Sequence, residues 1–232
     1  MKTIIFRNGE KKAIKDIAKD YSSHKGTIKK EQFKKNGWTK TNTGEEVMIA
    51  DPTLQEIYTT LKRGPQIITF KDAGYILLRA GVTKDKKVLE LGGGSGFMTC
   101  LLGMNAEKVV TYENKPSHYD IINHNLKKME LVNVELKLLD AYTEFNENEM
   151  YDIMIVDLPS PSKTELKNLK PGGMIMFYVL NIDQLLEARN RTDIIIEEVS
   201  EILKREWKFG QVVRPDNKLI GHTGFLIFAR KI

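Results

Sequence analysis

The segment Lys87-Val-Leu-Glu-Leu-Gly-Gly-Gly-Ser-Gly-Phe97 sets Glu90, Gly92, Gly94, Ser95 and Gly96 in the pattern Glu-x-Gly-x-Gly-Ser-Gly. Glycines spaced this way after an apolar run let a strand turn sharply into a helix and let backbone N–H groups approach a ligand closely. A nicotinamide-dinucleotide loop would carry its third glycine one position later, where Phe97 stands, so the spacing favours another nucleoside ligand. The next apolar run, Val109-Val-Thr-Tyr-Glu113, ends in an acid that can hold a ribose diol through two hydroxyl-to-carboxylate hydrogen bonds. Two further runs end in Leu138-Leu139-Asp140 and Ile155-Val156-Asp157. Ligands of open α/β sheets bind beyond the carboxyl ends of the strands, so Glu90, Glu113, Asp140 and Asp157 are expected to ring one crevice. Taken singly, an acid at a strand end is a solvated residue or a helix cap. After Asp157, however, Pro159 and Pro161 argue against a helix starting there and stiffen the loop instead.

Such a crevice requires alternating strands and helices, and the pattern from residue 66 onward supplies them. Apolar strand candidates fall at 87–91, 108–112, 134–139, 151–156 and 174–179, with helical periodicity between them. Thr69 with Asp72 three residues later resembles a capping box, and Ala73, Ile76, Leu77 and Ala80 share one helical face that Gly81 ends. Two more strands are expected at about 207–213 and 224–230, joined too closely to be anything but antiparallel. The fold class is therefore α/β, a Rossmann-like doubly wound, mostly parallel sheet with a C-terminal antiparallel hairpin. Before it, turn signals at Asn8-Gly9, Lys25-Gly26, Asn36-Gly37 and Thr43-Gly44 describe a small, mainly β module, with a connecting helix from Asp51-Pro52 to about Leu61. The expected domains are 1–63 and 64–232.

Charge follows the same division. Residues 1–63 hold 14 Lys/Arg against 8 Asp/Glu, net +6, while the rest hold 22 against 23, net −1. A basic module of this kind is either a solvated lysine-rich face or a patch for a polyanion. Trp38 among Lys29, Lys30, Lys34, Lys35 and Lys40 fits the second, since an aromatic between cations can stack on a base while lysines meet phosphates. No apolar stretch is long enough for a membrane span, and the start of the chain lacks a secretory h-region, so no membrane partner and a cytoplasmic location are expected. One cysteine, Cys100, read as a buried core thiol, and four scattered histidines give no metal-ligand spacing; no metal is expected.

The Glu90–Gly96 loop, Glu113, Asp140 and Leu169-Lys-Pro-Gly-Gly173 before a strand resemble the class I S-adenosylmethionine-dependent methyltransferases. More narrowly, Arg63-Gly-Pro-Gln-Ile-Ile-Thr-Phe-Lys-Asp72, Asp157-Leu-Pro-Ser-Pro161 and Gly221-His-Thr-Gly-Phe-Leu-Ile-Phe-Ala-Arg230 resemble the prokaryotic tRNA (adenine-N1)-methyltransferases. These act on the T-loop adenosine conventionally numbered 58, and the sequence leaves open whether the adjacent 57 is also methylated. The resemblance implies S-adenosyl-L-methionine as cofactor, tRNA as partner and a homotetramer. It also implies that Gln66, Glu90, Gly92, Gly94, Ser95 and Gly96 lie along the cofactor, that Glu113 binds its ribose with His118 beside it, and that Asp140 lies near its adenine. Asp157 is implied as the catalytic position that handles the target base. One departure is Phe70, where the family usually has proline. Two rival functions are a catalytically silent tRNA-binding subunit and a methyltransferase of the same fold acting on a protein or small molecule. The intact glycines, Glu113 and Asp157 speak against the first, and the basic module and the Asp-Leu-Pro-Ser-Pro string against the second.

Overall fold

The first unit contains β1 (Lys2–Phe6), β2 (Lys11–Ile14), β3 (Tyr21–Ser23), β4 (Gly26–Ile28), β5 (Gly37–Lys40) and β6 (Glu46–Ala50), with burial alternating along β5 and β6. Strands of period two bury one face, and here Ile4, Phe6, Ile14, Val47 and Ile49 join Ile28 and Phe33 in a small core. Strands β2-β1-β6-β5 form an antiparallel sheet, and β3-β4 is a separate hairpin. The short helix α1 (Leu54–Tyr58) follows, ending before the expected Leu61. Its start is a capping box, with Thr53 accepting from the Glu56 N–H and Glu56 accepting from the Thr53 N–H.

The computed structural model describes residues 1–209 and 212–232 and divides into two units, Met1–Leu61 and Lys62–Ile232. The second runs α2 (Phe70–Ala80), β7 (Lys87–Leu91), α3 (Phe97–Asn105), β8 (Lys108–Glu113), α4 (Pro116–Lys128), β9 (Val134–Leu138) and β10 (Tyr151–Val156). It continues through β11 (Leu169–Val179), α5 (Ile182–Arg189), β12 (Ile194–Ser200), β13 (Trp207–Phe209), β14 (Val213–Pro215) and β15 (Phe225–Lys231). The seven-stranded order is β12-β15-β11-β10-β7-β8-β9. β7 to β11 are mutually parallel, and β15 pairs antiparallel with both β11 and β12. This is the Rossmann-like doubly wound sheet expected. Its winding reverses between β7 and β10, which is where such sheets bind ligands.

The central strands are nearly continuous apolar runs because both faces are covered. Ile153 and Ile155 of β10 pack with Ile76 of α2 and Leu102 of α3, whereas Met154 and Val156 face the opposite side with Ala188 of α5. Each such aliphatic side chain, fully buried, contributes about 1.5–3 kcal/mol. α2 ends as its sequence dictates, with Gly81 left-handed at φ 73° and its N–H bonded to Leu77 and Leu78. Among the described residues no helix is long and apolar enough to cross a membrane.

Two expectations are corrected in detail. The Thr69 hydroxyl does not cap α2; it donates to the Asp72 carboxylate. The strand antiparallel to β15 on the sheet's outer side is β12, whose Ile194-Ile-Ile-Glu-Glu-Val-Ser run the pattern reading passed over. Trp207–Phe209 and Val213–Pro215 instead form a separate two-stranded ribbon, and 210 and 211 of the expected strand 207–213 lie outside the described residues. A strand whose apolar run is interrupted by two adjacent acids gives a weak periodic signal, and only its partner settles where it pairs.

Candidate active site

Gly92, Gly94 and Gly96 carry φ of 95°, 57° and 73°. These left-handed values turn the chain from the end of β7 into α3 within a few residues, and they strain any residue with a Cβ. At Gly92 there is also no space: a Cβ would lie 2.4 Å from the Asp157 carbonyl oxygen. The turn is therefore pressed against the end of β10, where the Asp157 N–H donates to the Leu91 carbonyl at 2.9 Å. Adjacent ends at the winding reversal open a cleft of about 350 Å³. It is lined by Gln66, Gly92, Gly94, Glu113, His118, Asp140 and Asp157. A narrow recess behind it meets Gln66, Glu90, Gly92, Gly94, Ser95 and Asp157.

The expected residues thus come together, apart from Gly96. That glycine touches neither cavity and allows α4 to approach, since a Cβ there would meet Ile122 at 3.2 Å. Ser95 is turned toward the preceding segment, donating to the Pro65 carbonyl at 2.8 Å and accepting from the Gly64 N–H at 3.1 Å. Glu113 braces the loop: one carboxylate oxygen accepts from the Gly94 N–H at 2.8 Å and the other from Lys115 N–H at 2.9 Å. His118 Nδ1 lies 3.5 Å from the latter oxygen. Asp140 accepts from the Asn114 amide at 3.0 Å and the Tyr142 N–H at 2.7 Å, and these bonds hold its carboxyl below the usual range.

Two acids are electrostatically unlike the rest. Glu90 is 2% exposed and accepts hydrogen bonds from Thr99 and Thr111 at 2.6 and 2.7 Å. Burial nevertheless outweighs those bonds and pushes its carboxyl up to about 7. Asp157 is half-buried at the cleft; burial first, then the Glu113 charge, pushes it up to about 7 as well. Among the described residues no hydrogen bond engages its side chain. The sequence reading missed Asn114 and Tyr142. Tyr142 accepts from the Ser160 N–H at 2.9 Å and so ties down the loop after Asp157. Their only sequence signal is proximity, since each lies one or two residues beyond an expected acid.

A strand-to-helix glycine turn, an acid at the second strand end and a cleft of nucleoside size fit S-adenosylmethionine: backbone approach is free at Gly94, where a Cβ would meet only Pro65 at 3.6 Å. Fold and cleft define an S-adenosylmethionine-dependent methyltransferase. Consistent with that class, the family described as Protein-L-isoaspartate(D-aspartate) O-methyltransferase (PCMT) matches residues 68–203, the sheet core without the N-terminal unit or β15. A solved S-adenosylmethionine-dependent O-methyltransferase from Thermotoga maritima superposes with TM-score 0.86 at 26% identity, covering 100% of this chain and 92% of that one. The tRNA (m1A58) methyltransferase TrmI from Aquifex aeolicus gives 0.84 at 30% identity, covering 99% and 96%. The tRNA (adenine(58)-N(1))-methyltransferase TrmI of Thermus thermophilus is 31% identical over 91% of this chain and 88% of its own. This chain belongs to the tRNA (adenine-N1)-methyltransferase family.

Proposed function

We propose that this protein transfers a methyl group from S-adenosylmethionine to N1 of the adenine at position 58 in the T loop of tRNA. The observation that carries this reading is Asp157, an acid without a side-chain hydrogen bond at the cleft, in a chain whose full length, N-terminal unit included, is similar to tRNA methyltransferases. When bound, the cofactor supplies a methyl already activated on a sulfonium. In this reading the glycine turn and Gln66 lie along it, Glu113 takes the ribose hydroxyls, His118 stands beside them, and Asp140 borders the adenine. Adenine N1 has a lone pair and no hydrogen, so no base need remove a proton first. The task left to the chain is alignment and charge. The Asp157 carboxylate accepts from the exocyclic amino group, fixes N1 in line, and offsets the positive charge that the ring gains. A T-loop adenosine is stacked in folded tRNA, so it must be turned outward to reach this acid.

Three further parts belong to the proposal. The basic N-terminal unit meets tRNA phosphates, supported by Lys30, Lys34 and Lys35, which are exposed and carry no ion pair among the described residues. The protein is a homotetramer, supported by the exposed apolar side chains of Trp207, Phe209 and Val213 on the β13-β14 ribbon. It works in the cytoplasm, where its tRNA substrate is found. A second reading, methyl transfer to an isoaspartyl carboxylate, is favoured by the match over 68–203. Incubation of unmodified tRNA, and separately of an isoaspartyl peptide, with labelled methyl donor distinguishes the two. Nucleoside analysis is expected to give 1-methyladenosine; label in the peptide alone would overturn the proposal.

A further inference from the structure

Asp72, the third residue of α2, is completely buried, an unusual place for a carboxylate. It is held by groups from three separate parts of the second unit. One oxygen accepts from Lys71 Nζ at 2.6 Å. The other accepts from the Thr69 hydroxyl at 2.8 Å and from the Thr223 hydroxyl at 2.8 Å, with the Tyr178 hydroxyl 3.4 Å away. Lys71 also donates to the Thr223 hydroxyl at 2.7 Å. The hydrogens then have one consistent arrangement. Thr223 receives from the ammonium and gives to the carboxylate, and Tyr178 gives its proton to the Thr223 backbone carbonyl at 2.8 Å. The turn that carries Thr223 also packs directly on the Tyr178 ring, for a Cβ at Gly224 would lie 2.7 Å from Tyr178 Cζ.

This cluster stands beside the reaction centre without entering it. Val156 and Phe177 are register partners on the parallel strands β10 and β11, so Asp157 and Tyr178 are the next pair along. Burial first, then the Asp72 charge and after it the Asp157 charge, hold the ionisation of the Tyr178 phenol above the usual range. On its other side, Asp72 fixes the start of α2, immediately after Gln66, Ile67 and Ile68, which line the recess shared with Asp157. A buried ion pair is a poor device for stability alone, because apolar groups of like volume commonly do as well. Its distinctive property is directional: the Lys71 ammonium bridges Asp72 and Thr223, and the groups joined to Asp72 are 151 and 106 residues away in sequence.

We infer that Asp72, acting through Lys71 and Thr223, is a positioning residue for methyl transfer that fixes Tyr178 and the 66–68 segment on either side of Asp157. The inference rests on the proposed tRNA activity and adds Asp72, Lys71 and Thr223, which line neither the cleft nor the recess. Small displacements of aligned groups slow a reaction far more than they weaken binding. Asp72→Asn and Thr223→Val are therefore expected to lower the single-turnover methylation rate by at least about tenfold. Dissociation constants for S-adenosylmethionine and for tRNA should stay within about twofold, and Thr223→Ser, which keeps the hydroxyl, should stay close to the parent rate. Rates within twofold of the parent for both variants would overturn the inference. So would losses of rate that are matched by losses of both affinities, or Thr223→Ser behaving like Thr223→Val, since either is the mark of a merely structural role. If Asp72→Asn does not fold, Thr223→Val with its serine control decides. A parent protein that forms no 1-methyladenosine overturns the functional reading and this inference together, whereas an active parent with unaffected variants overturns the inference alone.

Discussion

At the scale of single residues, Asp157 combines a cleft position, no side-chain partner and a carboxyl pushed up to about 7. If its ionised form orients the base, the single-turnover rate should rise with pH through the range just below 7 and level off above it, since a raised carboxyl pKa leaves the group protonated, and inactive, on the acid side. The cationic donor bound beside it draws that limb to lower pH. Asp157→Ala should reduce the rate by roughly 10²–10³, and Asp157→Asn should remove the pH-dependent limb. An unchanged pH profile in the asparagine variant would assign the titration elsewhere. Glu90 offers a test in stability. Its carboxyl rises from 4.5 to about 7 on folding, so the folded protein holds an extra proton between those values. Glu90's contribution to the stability of the cofactor-free protein therefore falls as pH climbs from 4.5 to 7, by about 3 kcal/mol. Glu90→Gln escapes this: calorimetry should find it more stable than the parent above pH 7, with the advantage shrinking toward pH 4.

At the scale of elements, the turn from β7 into α3 and the end of β10 form one unit, since backbone of the first touches backbone of the second at Gly92. Gly92→Ala forces both a left-handed alanine and a 2.4 Å clash of its Cβ with the Asp157 backbone carbonyl, which no rotamer can relieve. It should lower stability by about 1–3 kcal/mol and, by displacing the end of β10, reduce S-adenosylmethionine affinity measured by titration calorimetry. Gly172, also left-handed at φ 72° but open to solvent, is the control: alanine there should bring strain without the loss of affinity.

At the scale of the whole molecule, the basic unit and the apolar ribbon carry the expectations about partners. Lys29 is engaged by Asp20 at 2.9 Å, so it is a poorer candidate for a phosphate than Lys30, Lys34 and Lys35. Neutralising those three together should weaken tRNA binding and reduce the slope of log affinity against log salt by about 2–3, leaving cofactor affinity alone. An identical slope would move the phosphate contacts to the second unit. Trp207 and Phe209 are 55% and 83% exposed on the β13-β14 ribbon. If the proposed tetramer assembles through this ribbon, changing both to serine should shift sedimentation toward smaller species; a parent that already sediments as a monomer would refute the assembly.

The glycine turn, the strand-end acids and the doubly wound order were legible because each depends on local properties: left-handed backbone that favours glycine, apolar runs of strand length, and the rule that parallel strands point their carboxyl ends the same way. From these, Glu90, Gly92, Gly94, Glu113, Asp140 and Asp157 could be assigned to one crevice, and they share it or the recess behind it. What the local pattern could not decide was which partner each polar group would find. Thr69 read as a cap yet bonds to Asp72, and Ser95 faces the 64–65 segment. Lys29 pairs with Asp20, and the segment Ile194–Ser200, with Glu197 and Glu198 at its centre, supplies the sheet's outer strand. Hydroxyls, ammonium groups and edge strands have several acceptors of similar strength within reach, and packing of segments far apart in sequence selects among them. The Asp72 cluster is the clearest case, because the separation of Asp72 from Tyr178 and Thr223 in the sequence carries no signal and its chemistry exists only once these have been folded against α2.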